Sequence, residues 1–543
     1  MNPETLLLSA LGLPVAMLLG CLSARLRKMM QRGLWIAPVP ALAAALFGTR
    51  TSPVVLSGEP YHVTLMLDAS GSMLLTAASL LWIAAGFYVP AFFRGRVMTG
   101  SFTVCWLFTL IGSLGIFLAA DLVSFFLCYA LVSLPAYGLV TYDGTPVARR
   151  AGAIYMGFVL LGENLLLMGF VLLVANTPDG SLRIADAVDA LQAAPSRAAI
   201  LSLLIVGFGM KIALLPMHFW MPLSYTASPI PAAAVLSGAA VKAGVIGLIR
   251  FLPFDMALPG WGELLTIVGF CGAFYGVVVG ITQSNPKTVL AYSSVSQMGF
   301  LAAVLGMGLS AGDASVAPLA AFYAAHHVLV KGALFLAVGV AAVTGTRRMG
   351  LVVGPGAIVA LGLAGLPLTG GALAKLAVKD PLGYGIAGTL AVLSAAGTAL
   401  LMMHFLFRLA ATADQAPNKP ASLGLVVPWL AAALLCLIVP WACYPYSGLG
   451  TPSEILAPAA LWKTFWPVAS GVIVALVFRR SNVRLPRIPE GDIAALGGWL
   501  SRLATACGAV FVKVDGVLRL WTTACLALLL IVVFLTVAMR AGG

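Results

Sequence analysis

Apolar runs of about twenty residues recur from Leu6 to Met539, each long enough to cross a hydrocarbon core of about 30 Å as a helix. About sixteen such runs fall at 6–24, 34–48, 72–92, 102–119, 122–141, 154–175, 198–225, 230–252, 263–283, 288–309, 316–343, 351–380, 384–411, 423–443, 460–478 and 517–539. The chain is 61% hydrophobic and 9% charged, with a mean hydropathy of +1.03, whereas a soluble domain carries roughly 25% charged residues. The fold class is therefore an all-α polytopic membrane protein.

Charge sets the expected orientation. The first run is preceded by Glu4 and followed by Arg25, Arg27, Lys28 and Arg32, the pattern of a membrane helix whose N-terminus is outside rather than of a cleaved signal. Counting onward places Arg94, Arg96, Arg149, Arg150, Lys287, Arg347, Arg348 and the basic stretch 479–513 on one side, which is the cytoplasmic side in a bacterial inner membrane. The net charge of +13 is thus a topology signal, and nucleic acid is the poorer partner. Eight cysteines (21, 105, 128, 271, 436, 443, 507 and 525) show no CxxC or His/Cys ligand spacing, so no metal or cofactor is expected and redox chemistry is left to a partner.

Runs seven and twelve are over-long and carry Pro216, Pro222, Pro229 and Pro231 in one, and Leu366, Pro367, Gly370 and Gly371 in the other. Both read as broken helices. Unwound backbone at membrane depth persists only where it is buried in protein or lines a wet cavity, and two breaks five helices apart suit the inverted repeats of a transporter. The organisation expected is three N-terminal helices (1–101), a first repeat of helices 4–8 (102–252), a second of helices 9–13 (263–411), and C-terminal helices 14–16 (423–543). The polar segment near 480–516 is either an amphipathic surface helix or a connecting loop.

Ionisable residues in segments that should be apolar carry the functional information: Glu163, Lys211, Lys242, His327, Lys331 and Lys375. Lys242 and Lys375 lie near the breaks and could partly snorkel. Four idle lysines at membrane depth would cost on the order of 10–14 kcal/mol. A lysine in a hydrated, low-dielectric site can take up and release protons, and His327 and Lys331, spaced i, i+4, share a helix face. These residues are expected to form a proton relay.

Several stretches are similar to a known pattern. Residues 67–92 and 118–140 are similar to D-G-L-S and D-L-x-x-F-F-x-x-W-E-x-x-S-L-P-x-Y, and GMKIALLPMHFWMPLSYTASPIPAAAVLSGAAVKAGVIGLIR (209–250) is the most specific match. NPKTVLAYSSVSQMGF (285–300), HHVLVKGALFLAVG (326–339) and LAGLPLTGGALAKL (363–376) follow. Over helices 3 to 13 the chain thereby resembles the antiporter-like, proton-translocating membrane subunits. That family comprises the antiporter-like subunits of complex I, Mrp cation/proton antiporter subunits A and D, the membrane subunits of group 4 hydrogenases and those of inorganic-carbon transporters.

The resemblance implies a 14-helix core and a file of protons through Lys211 and Lys242 to Lys375, with Pro216, His218, Trp220, Pro222 and Pro367 forming the breaks. It also implies an ion pair between a helix 5 glutamate and Lys211. Here Ala130 stands at that glutamate position. Glu163 in the neighbouring helix is then expected to replace it, the plainer alternative being a glutamate satisfied by Asn164, by a backbone group or by a partner subunit. Asn285 likewise stands where the family has an aspartate.

The function expected is a proton-conducting subunit of a hetero-oligomeric membrane complex, of Mrp, respiratory or hydrogenase type, moving protons and, in an Mrp setting, exchanging them for sodium. It has no catalytic site of its own, though it could serve a translocase such as an NADH:quinone oxidoreductase. Alternatives are the membrane subunit of an inorganic-carbon uptake complex with a zinc-binding soluble partner, and a non-conducting scaffold.

Overall fold

The computed structural model describes residues 3–48, 53–57, 63–412, 421–446, 455–481, 486 and 488–491. The sixteenth run and the polar segment beyond 491 lie outside the described residues. Ten helices among the described residues are long and apolar enough to cross a membrane, with shorter apolar helices at Glu4–Gly20, Gly100–Gly115 and Gly350–Ala364. The order is α1 (Pro3–Gly20), α2 (Ala24–Arg32), α3 (Val39–Phe47), β1 (Val54–Ser57), β2 (Val63–Leu65), α4 (Ala69–Phe92), α5 (Gly100–Gly115), α6 (Leu122–Ser133), α7 (Ala136–Val140) and α8 (Pro146–Asn176). Then come α9 (Ile184–Asp189), α10 (Arg197–Lys211), α11 (Trp220–Ala227), α12 (Ile230–Val235), α13 (Lys242–Phe251), α14 (Pro259–Gly280), α15 (Pro286–Ala311) and α16 (Val316–Ala341). The described chain closes with α17 (Gly350–Ala364), α18 (Gly370–Ala377), α19 (Lys379–Leu382), α20 (Ile386–Ala411), α21 (Leu423–Cys443) and α22 (Pro458–Arg480).

Two elements depart from the sequence reading. The second run is helical only over α3, because residues 34–38 form turns ahead of it. Between α3 and α4 the chain makes a small antiparallel ribbon, β1 with β2, which bridges from Leu65 to Ala119 beyond α5. The membrane helices at the centre, α15, α16 and the α12–α13 span, are wholly buried in protein, whereas α8, α21 and α22 keep apolar faces for lipid.

Close helix approach follows from glycine spacing. Gly262, Gly269 and Gly276 recur every seventh residue along α14, and a Cβ on Gly269 would stand 2.6 Å from the Gly299 carbonyl oxygen of α15. Small residues let the two backbones touch, which is how helices pack where lipid offers no hydrophobic contrast.

The acids that open the family-like motifs hold helix ends. Asp68 caps α4 by accepting from Gly71 N, and Asp121 caps α6 while its second oxygen accepts from Thr64 N at 2.6 Å. Arg250, at the end of α13, donates Nη2 to Asp68 Oδ1 at 2.9 Å and to the Phe117 carbonyl at 2.8 Å. Its Nη1 donates to the Ile116 and Ala119 carbonyls at 3.1 and 2.7 Å. One guanidinium thus satisfies the orphan carbonyls that end α5 and ties α4, α5 and α13 together.

Both breaks are built alike in one respect: each holds a non-glycine residue in the left-handed region, Ala213 (φ 57°) between α10 and α11, and Leu368 (φ 65°) between α17 and α18. Such a conformation costs on the order of 1–3 kcal/mol, so surrounding contacts must hold it. Trp220 Nε1 does so at the first break, donating to the Met210 carbonyl at 2.9 Å. At the second, Gly365 (φ 102°) turns the chain out of α17 and the bare α-carbon of Gly371 lies against the Gly362 carbonyl.

The clamp and the close glycine contact each set a measurable stability. Burial raises the Asp68 carboxyl's pKa, but Arg250 and the Gly71 amide outweigh it and hold it below its ordinary 3.8. The stabilisation is therefore complete above the ordinary value and lost as pH falls through the lowered one. Arg250→Ala should cost about 2–4 kcal/mol, read as a lowered melting temperature in detergent, and Asp68→Asn should remove the acid-dependent part of melting below pH 3.8. Gly371→Ala should cost about 1–3 kcal/mol by overpacking, whereas Gly354→Ala, where a Cβ meets nothing within 4 Å, should not lower the melting temperature.

Candidate functional site: a file of buried amines and imidazoles

Lys211 ends α10 at the first break, where unpaired helix carbonyls favour a cation. Its Nζ donates to Ser133 Oγ at 2.7 Å and lies 5.5 Å from the centre of the Tyr129 ring. Both partners come from α6, either side of Ala130. The cation that lacks its expected glutamate on this helix is held by the hydroxyl and the ring that flank the alanine.

Glu163 lies on α8, which packs along α10 through Gly162 and Gly207, glycines that leave room for the facing helix. Its charge acts on Lys211, while Ser133 Oγ accepts from Lys211 Nζ and donates to the Tyr129 carbonyl at 2.8 Å. The carboxylate does not pair directly with the amine, and its Oε1 is buried without a hydrogen-bond partner. Asn164 does not satisfy it: that amide donates instead to the Leu160 carbonyl at 2.7 Å.

Beside Lys211 is a void of about 10 Å³, the size of one water, lined also by Tyr155, Ser224, Tyr225, Leu236 and Val241, the last being the residue before Lys242. A five-residue π-helical bulge, Leu236–Ala240, then interrupts α12 and α13 directly before Lys242. The bulge loosens the carbonyl ladder, and its groups are taken up locally. Tyr225 donates its hydroxyl to the Leu236 carbonyl at 3.3 Å, and Lys242 Nζ donates to the Ser237 carbonyl at 3.4 Å. Gly238 within it has no Cβ because the Leu81 side chain and the Val328 carbonyl occupy that space.

Lys242 does not snorkel; it is fully buried, 0% exposed, and its Nζ lies 2.5 Å from His327 Nδ1 on α16. Lys331, one turn further, donates to the Leu290 carbonyl of α15 at 2.8 Å. Ser294 Oγ shares that carbonyl and meets Ser237 Oγ at 3.2 Å, so polar contacts run unbroken from Lys331 back to the bulge beside Lys242.

Sequence reading missed His326. It is buried on α16 next to His327, but the 100° turn between helix neighbours aims it the other way, at the start of α18, where a Cβ on Gly371 would stand 3.1 Å from its Cε1. Its ring is electrostatically coupled to Lys375 on one side and His327 on the other. The signal available was the His-His doublet within 326–339, of which the family-like spacing uses only the second.

Lys375, on α18, extends beneath the bare Gly365 and lies 5.6 Å from the Phe300 ring centre. It is partly exposed to a cavity of about 320 Å³, which runs from the second break to the ends of α19, α20 and α22. Pro216 and Pro367 lie in the two breaks, and Pro222 lies in the first turn of α11. His218 lies in the first break, between α10 and α11, with its ring packed edge-on against Tyr275 of α14 at 4.8 Å. Asn285 keeps the capping role of an aspartate, accepting from Lys287 N at 2.9 Å, but carries no charge.

Residues 119–403 match the family model described as NADH:quinone oxidoreductase/Mrp antiporter, transmembrane. The chain is 30% identical over 339 residues to the N subunit of the NADH-quinone oxidoreductase of Desulforudis audaxviator, covering 58% of this chain and 66% of that one. It is 29% identical to a subunit of the Na(+)/H(+) antiporter of Alkalihalophilus pseudofirmus, over 59% of this chain and 67% of that one, and 28% identical to hydrogenase-4 component B of Escherichia coli, over 51% and 43%. The chain thus spans about two thirds of the first two relatives and less than half of the third. In fold it is similar to a chain of the Mrp complex from Dietzia sp. DQ12-45-1b, with a TM-score of 0.75 at 22% identity over 100% of this chain and 63% of that one. With more than half of its length matched, and with the broken helices and buried lysines in place, this chain belongs to the NADH:quinone oxidoreductase/Mrp antiporter transmembrane family.

Proposed function

We propose that the protein is a proton-conducting subunit of a hetero-oligomeric membrane complex of Mrp, respiratory or hydrogenase type, seated in a bacterial inner membrane with its N-terminus outside. The observation that carries this reading is the Lys242–His327 contact, an amine and an imidazole 2.5 Å apart with no acid between them at a helix bulge. Two such bases can share one proton but do not both hold one without strong repulsion. An added proton therefore has to move on.

In this reading the file runs from Glu163 through Ser133 to Lys211, across the one-water void to Lys242 and His327, and then by Lys331 or His326 to Lys375. Glu163 takes the role of the missing helix 5 acid through a hydroxyl rather than by direct contact. Residues 102–252 and 263–411 form two inverted repeats, a division supported by the left-handed residue in each break. The relatives' names support a multi-subunit setting, in which other membrane subunits, or a soluble redox arm, supply the driving force.

Proton flux through the purified complex in proteoliposomes, followed with a trapped pH dye, tests the file. Lys211→Ala should lower flux at least tenfold with assembly intact; unchanged flux would favour a non-conducting scaffold. Glu163→Gln should lower it several-fold, and normal flux in that variant would remove Glu163 from the relay while leaving Lys211 in it.

A further inference from the structure

We propose that the cavity of about 320 Å³ between α18, α20 and α22 binds the headgroup of an anionic phospholipid, with the acyl chains lying along α22. Three lysines line it, Lys375, Lys379 and Lys463, and no acidic side chain does. None of the three makes an ion pair among the described residues. Lys375 and Lys379 instead lie 5.6 and 5.0 Å from the centres of the Phe300 and Tyr384 rings. Unbalanced cations gathered in a partly enclosed space attract an anion.

The walls decide which anion. They are mainly apolar, formed in part by Leu376, Val392, Ala395 and Pro467, a surface that a free inorganic anion would leave wet. The lining includes the exposed Trp466 of α22 and the exposed Tyr384, and aromatic rings of this kind sit at headgroup level. The cavity thus opens where helix ends meet the membrane surface, and the apolar lining gives way there to three amines and the hydroxyls of Thr389 and Thr464. A phosphodiester at the mouth finds the lysines while its chains stay in lipid. Basic pockets between membrane helices recognise lipid headgroups in this way.

A bound phosphate would also set a negative charge near Lys375; that consequence alone rests on the relay reading. Binding of the lipid does not, so it is measured separately from flux. The full chain in detergent is titrated with phosphatidylglycerol or phosphatidylcholine and bound lipid counted by native mass spectrometry. Phosphatidylglycerol should be retained in preference, and Lys379→Gln with Lys463→Gln should weaken it about thirtyfold, roughly fivefold per lysine. Phosphatidylcholine should be unaffected, as should the melting temperature. Lys28→Gln, on the exposed α2 and absent from the cavity lining, should retain normal binding. Equal retention of the two lipids, or unchanged retention in the double variant, overturns the proposal. So does displacement of the lipid by inorganic phosphate alone, which would mark a free-anion site.

Discussion

A primary amine held inside a membrane protein has to find an oxygen, a nitrogen or an aromatic face within the fold, because lipid supplies none and the charged form is costly there. The architecture around Lys211, Lys242, Lys331 and Lys375 is organised by that requirement. Each amine is met differently: by a hydroxyl and a ring, by an imidazole and a bulge carbonyl, by a helix carbonyl, and by a ring at the edge of a cavity. Among the described residues, none is met by a carboxylate in direct contact. On the proposed reading, partners without a charge leave the amines free to exchange protons, which a tight ion pair would resist.

The breaks in the helices serve the same end. An intact α-helix already uses its carbonyls internally, so a lysine can only share one, as Lys331 shares that of Leu290. The bulge before Lys242 frees the Ser237 carbonyl that this amine meets, while the ends of α10 and α17 open the chain beside Lys211 and Lys375, which are met by side chains. The strain of Ala213 and Leu368 is the local cost of those interruptions, and the Arg250 clamp and the α14–α15 glycine contacts make the surrounding frame rigid enough to hold them.

The loss of the usual acid at Ala130 illustrates how a family arrangement tolerates change. Ser133 and Tyr129, to either side, remain on the face of α6 that meets Lys211. The Glu163 carboxylate on α8 lies near enough to act electrostatically on the same amine. On the proposed reading the negative charge thus sits on another helix, α8, and still acts on Lys211.

Hydrophobic run length, the Pro and Gly clusters and the few charges inside apolar stretches determined from sequence the helical class, the two interrupted helices and the buried lysines, because each reflects a solvation cost that acts locally along the chain. Which side chains meet was decided by tertiary packing. That Lys211 meets Ser133 across 78 residues, that Asp68 belongs to Arg250 across 182 residues, and that neighbouring His326 and His327 face different partners are set by where helices cross. The bulge at Leu236–Ala240 and the three-lysine cavity were likewise invisible in sequence: a π-turn has no composition of its own, and Lys375 and Lys463 converge only because α18 and α22 flank the same space. Local chemistry fixes what must be buried, and only the packed helices choose what it is buried against.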